Sequence, residues 1–147
     1  MRIYIPDTLA AVAGHLDGVW EPTHAFAVTD SLRDAAPDLD DDELAELAID
    51  FAAEHSAYAL GSRLRVVVAA DYSRADVAFH PQGGPAAVRL TGRLAPSAVA
   101  CLFVDEADAA QDVLAAQAGD EEAQDRLGER HLLWFDPSEA SYLDAPA

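Results

Sequence analysis

Four strand-like segments follow one another in the middle of the sequence, and this clustering constrains the fold more than any other feature. They lie at 65–70, 77–80, 87–92 and 99–104, are rich in valine, alanine and leucine, and are separated by short polar or glycine-containing stretches. Consecutive strands without a helix between them pair in antiparallel fashion, because a parallel pair needs a long crossover connection. This order therefore favours an α+β fold over a doubly wound parallel sheet.

The segments on either side supply the other predicted elements. Further strands are expected at 3–5, 24–29 and 132–135. Helices are expected at 9–16, opened by Pro6, Asp7 and Thr8, and in a short segment capped by Thr29 or Asp30. Three more are expected at 42–60, at 105–118 with Asp105 as its cap, and at 120–129. A chain of 147 residues suits a single hydrophobic core. We therefore predict one α+β domain over residues 1–137, with a mixed, mainly antiparallel sheet of about seven strands packed with about five helices, and a loosely held tail at 138–147.

The helix predicted at 42–60 has the clearest pattern in the chain. Asp40 and Glu43 have the spacing of a capping pair at its start. Its apolar stripe contains Leu44, Leu47, Ala48, Phe51, His55 and Tyr58. Its acidic stripe contains Glu43, Glu46, Asp50 and Glu54, and the spacing recurs in Asp105, Asp108 and Asp112 on the helix predicted at 105–118. An acidic stripe is the usual pattern of a solvated face, and it also suits docking of a basic protein or imitation of DNA phosphates.

The charge balance and the cysteine count bound the partners and the compartment. The formal net charge is −18, and all nine cations are arginine. A high-GC genome explains the absence of lysine and asparagine, with a halophilic origin as the alternative. Without a basic surface, direct binding to nucleic acid or to a membrane is not expected, and no apolar run approaches the ~18 residues of a membrane span.

Pro6 and Asp7 interrupt the N-terminal apolar stretch too early for a signal peptide. The single cysteine, Cys101, favours a reducing compartment, so we expect a cytoplasmic protein.

Signatures of cofactor and metal chemistry fail when they are tested in detail. Residues 102–108 imitate the Mg²⁺-binding end of a helicase strand, but a chain without lysine cannot form the phosphate-binding loop. The acidic segment beginning at Asp38 lacks the sixth-position glycine and the final glutamate of a calcium loop. The five histidines are not spaced as zinc ligands. Cys101 reads as an unreactive core thiol, and we predict no cofactor and no metal.

A small enzyme is the alternative function that the sequence leaves open. His55 shares the apolar stripe with Tyr58, which is more typical of a hydrogen-bonded core histidine than of a catalytic base. Asp71 and Tyr72 follow an apolar strand, where a functional carboxylate or a simple turn is expected. An acid/base site near these three residues would require a cleft that brings them together.

Six segments in order also resemble a known family. They are Arg2-Ile-Tyr-Ile-Pro6, Phe26-Ala-Val-Thr-Asp-Ser-Leu-Arg33, Arg65-Val-Val-Val-Ala-Ala-Asp71, Val88-Arg-Leu-Thr-Gly92, Val104-Asp-Glu-Ala-Asp108 and His131-Leu-Leu-Trp-Phe135. Together they resemble a domain-of-unknown-function family of small acidic actinobacterial proteins. The resemblance implies a cytosolic protein from a high-GC bacterium and no assigned activity. The acidic stripes make a non-catalytic interaction or regulatory protein, whose acidic face docks a basic protein, the preferred hypothesis.

Overall fold

Seven strands form one antiparallel sheet in the computed structural model, which describes residues 1–143. The strands are β1 (Arg2–Asp7), β2 (His24–Phe26), β3 (Val66–Asp71), β4 (Val77–Phe79), β5 (Ala87–Leu90), β6 (Val99–Val104) and β7 (Leu133–Phe135). Their order across the sheet is β4-β5-β2-β1-β3-β6-β7. Every neighbouring pair is antiparallel, which confirms the predicted α+β class.

Five α-helices lie among these strands within the described residues. They are α1 (Val12–Asp17), α2 (Asp30–Ala35), α3 (Asp41–Glu54), α4 (Ala110–Gln117) and α5 (Glu121–Glu129). The predicted capping pair at the start of α3 is confirmed: the Asp40 carboxylate accepts from the Glu43 amide at 2.9 Å, and the Glu43 carboxylate accepts from the Asp40 amide. α3 continues into a π-helical turn at His55–Ala59, so the predicted helix of 42–60 is real but changes its winding near its end.

Successive side chains of β1 and β3 point to opposite sides of the sheet. Both sides are covered, so the sheet separates two cores. One core contains Ile3, Ile5, Val66, Val68, Leu102 and Val104 and is covered by α1 through Val12. The other contains Tyr4, Val67, Ala69 and Cys101 and is covered by α3 through Leu44, Ala48 and Ala52. A smaller core joins α4 and α5 to the π-helical turn through Ala57, Val113 and Leu127.

Two predicted helix starts were wrong. Pro6 and Asp7 were expected to open the first helix, but both belong to β1, and α1 begins only at Val12. Asp105 was expected to cap the helix at 105–118. Its carboxylate instead contacts Arg65, and a 3-10 turn at Ala107–Ala109 precedes α4. At Asp105 a long-range ion pair replaced the local capping interaction that the sequence pattern favoured, whereas before α1 the Thr8 hydroxyl still accepts from the Ala11 amide at 3.2 Å.

The C-terminal segment continues beyond the predicted domain boundary. Pro137–Tyr142 forms a 3-10 helix in which Ala140 is buried. The last part of the predicted tail, residues 144–147, lies outside the described residues. Within the described chain, no helix combines the length and the apolar character needed to cross a membrane.

Candidate functional site

Three acidic residues of α3 line a groove that runs between α3, α5 and the segment leading into β7. The groove consists of two adjoining cavities that share Asp50 and Gly128. The first, about 130 Å³, is lined by Asp50, Glu54, Tyr58, Arg65, Gln124, Leu127 and Gly128. The second, about 180 Å³, is lined by Glu46, Ile49, Asp50, Phe103, Gly128, Arg130, His131 and Leu132. We call this feature the α3 groove; the acidic stripe was predicted from sequence, but the opposite wall was not.

The acidic side chains of the α3 groove have no ion-pair partner within residues 1–143. Neither Glu46, Asp50 nor Glu54 lies within ion-pair distance of a described arginine or histidine. Partial burial raises the pKa of Asp50, an effect that the nearby Arg65 charge opposes. Burial and then the neighbouring Asp50 charge raise the pKa of Glu54. The groove therefore holds unneutralised carboxylates in surroundings that disfavour their charge.

The one arginine in the wall of the first cavity is already engaged. The Arg65 guanidinium donates to both carboxylate oxygens of Asp105, at 2.9 and 2.7 Å. A third donor, Nη1, binds the carbonyl oxygen of Leu127 at 3.1 Å. Both charged side chains are buried. Asp105 is thus a buried structural residue. The sequence pattern had placed it on an exposed acidic face, and that prediction was wrong.

The other two acids predicted near α4 are neutralised by α5 and the residue after it. Asp112 pairs with Arg126 at 3.0 Å and with Arg130 at 3.6 Å. Asp108 pairs with Arg130 at 3.1 Å. The two predicted acidic stripes therefore differ: the one on α4 is paired within the chain, whereas Glu46, Asp50 and Glu54 on α3 are not. Glu43 stands apart from both, because its carboxylate serves the α3 capping box.

The structure does not bring together the three residues of the predicted enzyme site. Asp71 pairs with the exposed Arg2 at 2.9 Å, and this hydrogen bond lowers the pKa of Asp71. Tyr72 is buried, and its hydroxyl has no hydrogen-bond partner among the described residues. Both lie beside the start of β1, where Arg2 faces Asp71. His55 lies at the other end of β1, about 17 Å away along the strand.

At that end of β1, a second cleft brings His55 together with titratable residues that sequence reasoning missed. It has a volume of about 230 Å³ and is lined by Ile5, Pro6, Asp7, His15, Trp20, Pro22, Thr23, His24, His55 and Leu60. We call it the histidine cleft. The Asp7 carboxylate lies 2.8 Å from His15 Nδ1. Three of the five histidines thus meet here although their sequence spacing predicts no site, because β1, β2, α1 and the end of α3 bring them together.

Residues 1–143 contain no cluster of side chains that could bind a metal ion. No group of three or more histidine, cysteine, aspartate or glutamate side chains is placed there to hold a metal ion. Cys101 is buried in the sheet, and desolvation raises the pKa of its thiol. Neither observation assigns a cofactor.

Comparison with known proteins identifies one family. The model of a family described as a family of unknown function (DUF6912) matches residues 1–143, which is nearly the whole chain. No curated protein and no solved structure matches the chain.

Proposed function

The chain belongs to the family of unknown function DUF6912, and we propose that it is an interaction protein that docks a basic segment of a partner protein in the α3 groove. In this proposal the partner is met in the cytoplasm, the compartment that a single unpaired cysteine favours. One observation carries the proposal. Within residues 1–143 the chain pairs Asp108 and Asp112 with its own arginines but leaves Glu46, Asp50 and Glu54 unpaired along a groove.

The local energetics favour a cation from outside the chain. Glu46, Asp50 and Glu54 are separated by one helical turn each, so their like charges repel by a few tenths of a kcal/mol per neighbouring pair. Partial burial adds a desolvation cost, which is the reason that the pKa values of Asp50 and Glu54 are raised. A lysine or arginine side chain entering the groove would offset both costs.

The neighbouring side chains also suit a basic residue with an apolar stem. Tyr58 is 47% exposed at the first cavity and can stack with a guanidinium or ammonium group. Ile49, Phe103 and Leu132 line the second cavity and can contact the aliphatic part of a long basic side chain. The groove thus combines charge with apolar surface, which a merely solvated acidic face does not need.

The test compares two variants that have the same net charge. The groove variant carries Glu46→Gln, Asp50→Asn and Glu54→Gln; it leaves Glu43 intact because Glu43 belongs to the capping box. The control variant carries Asp34→Asn, Asp38→Asn and Asp125→Asn, which are exposed positions outside the lining of both cavities. Partners are captured from the native cell extract at low salt and identified by mass spectrometry, and affinity is then measured with the purified partner.

We expect the groove variant to bind the partner about tenfold more weakly than native protein at low salt, equivalent to about 1.4 kcal/mol. The loss should lie mainly in the association rate and should shrink at high salt, where charges are screened. The control variant should bind like the native protein. Equal weakening in both variants would show that only net charge matters, and undiminished binding by the groove variant would contradict the proposal.

A further inference from the structure

The histidine cleft contains a buried carboxylate held against an accessible imidazole. Asp7 is 4% exposed and lies at the end of the central strand β1. Its Oδ1 accepts from the Thr8 amide at 2.8 Å, and its Oδ2 lies 2.8 Å from His15 Nδ1. An ionised carboxylate can only accept there, so His15 donates through its Nδ1–H, and Nε2 is the ring nitrogen left for another partner.

The ring of His15 is also fixed from the side. Trp20 stacks on it with ring centroids 4.6 Å apart and an interplanar angle of 6°. The His15 side chain nevertheless remains 38% exposed. An imidazole that is oriented by a buried carboxylate, stacked against a second ring and partly exposed has the features that general-base catalysis requires.

Two further imidazoles face the cleft from other elements. The antiparallel register in which Tyr4 faces Phe26 places His24 opposite Pro6, beside the end of β1. His55 lines the same cleft from the end of α3, where burial and the nearby His24 lower its pKa. His55 is therefore neutral at pH 7, and a neutral imidazole N–H can donate to a developing oxyanion.

The π-helical turn that begins at His55 contacts the end of β1. π-helical turns are rare and occur frequently at functional sites. The turn begins at His55 and buries Ser56, whose hydroxyl donates to the Asp7 carbonyl oxygen at 2.7 Å and accepts from the Val66 amide at 3.0 Å. The same turn thus ties the end of α3 to the strand that carries the carboxylate.

We propose that the histidine cleft is a hydrolytic site in which His15 activates water against a small uncharged carboxylic ester. His15 Nε2 takes a proton from water while the water oxygen bonds to the carbonyl carbon. The carbonyl electron pair moves to its oxygen, which accepts a hydrogen bond from His55. The C–O bond to the leaving group then breaks, and the departing alkoxide takes the proton from His15. The products are a carboxylic acid and an alcohol, and Asp7 acts as a positioning residue that orients His15 and does not exchange a proton with the substrate.

The surroundings suit an uncharged substrate. The net charge of −18 repels anionic phosphate esters, so an uncharged ester is favoured. Ile5, Pro22 and Leu60 supply apolar surface for its acyl or alkyl part. This inference is independent of partner docking, because the residues that line the α3 groove and those that line the histidine cleft do not overlap.

Hydrolysis of p-nitrophenyl acetate by the purified native chain tests the proposal. We expect the rate to rise with pH to a plateau, as an unprotonated imidazole base requires, and to be slower in heavy water because a proton moves in the rate-limiting step. His15→Gln should lower the plateau by about tenfold or more. His80→Gln is the matched control, since His80 is outside the cleft lining and only packs edge-on against His24, which takes no part in the proposed steps; it should retain the native rate.

Two further measurements keep the test decisive if His15→Gln perturbs the fold. His55→Gln leaves the Asp7–His15 pair intact and should lower kcat without changing the shape of the pH profile. Diethylpyrocarbonate applied to native protein, with the sites mapped by mass spectrometry, should abolish hydrolysis in step with modification of His15. A native rate that equals that of His15→Gln, a loss in His80→Gln as large as in His15→Gln, or activity that survives modification of His15 would each overturn the proposal.

Discussion

The Arg65 guanidinium and the Asp105 carboxylate form a buried two-point ion pair between the start of β3 and the end of β6, with nitrogen–oxygen distances of 2.9 and 2.7 Å. Asp105 Oδ2 also accepts from the Arg65 backbone amide at 2.9 Å. Arg65 further binds the Leu127 carbonyl oxygen on α5. This one pair therefore links the central sheet to the helical layer that forms the far wall of the α3 groove.

Removing one partner of this pair should be strongly destabilising. Asp105→Asn leaves the Arg65 charge buried without a counter-charge, and we expect the free energy of unfolding to fall by about 3 kcal/mol or more in urea titrations. Asp71→Asn is the matched control, because Asp71 forms the same kind of pair with Arg2 at the surface. That exposed pair should contribute less than about 1 kcal/mol. Equal losses of unfolding free energy in the two variants would show that the buried pair contributes no more to stability than the exposed pair.

Ser56 should be essential for the junction between α3 and β1. It is fully buried, and its hydroxyl bonds both the Asp7 carbonyl oxygen and the Val66 amide. Ser56→Ala leaves a buried acceptor and a buried donor unpaired, so the free energy of unfolding should fall by about 2 kcal/mol or more. Ser97→Ala, at an exposed position, is the control and should change it by no more than about 0.5 kcal/mol. A neutral Ser56→Ala would mean that the junction relaxes without these bonds.

The groove carboxylates should make stability depend on pH in a specific direction. Because their pKa values are raised in the folded protein, Asp50 and Glu54 favour folding when protonated, and this contribution is lost as the pH rises through the raised values. The variant with Glu46→Gln, Asp50→Asn and Glu54→Gln should therefore be more stable than native protein at pH 7, by about 0.5 kcal/mol. The difference should vanish as the pH falls below about 4, where ordinary carboxyl groups are protonated. Urea unfolding at several pH values measures it, and a variant less stable at pH 7 would contradict the prediction.

Cys101 should be unreactive in the folded protein. Its thiol is buried, and desolvation raises its pKa, so the reactive thiolate forms only above the ordinary range of a cysteine. We expect a disulfide reagent such as 5,5′-dithiobis(2-nitrobenzoic acid) to label native protein at pH 8 far more slowly than protein unfolded in urea. Rapid labelling of the native state would show that the sheet opens at β6 without global unfolding.

Much of the fold could be predicted from short-range patterns. The seven strands and the Asp40–Glu43 capping pair are all confirmed, because strand alternation and helix capping depend on residues close together in the chain. The acidic stripe of α3 was predicted for the same reason. The expected cap at Asp105 failed because Arg65, forty positions earlier, offered a buried charge that a local capping interaction could not match.

The sequence by itself thus determined which segments become strands and helices, and which side of α3 is acidic. Only the tertiary structure decided which charges are paired: β3 lies beside β6, so Arg65 meets Asp105, and α5 packs on α4, so Asp112 meets Arg126, while Asp50 and Glu54 face a groove. It also assembled Asp7, His15, His24 and His55 from four separate elements. The physical reason is that helix and strand periodicity act over a few residues, whereas ion pairing and cleft formation depend on which distant elements pack together.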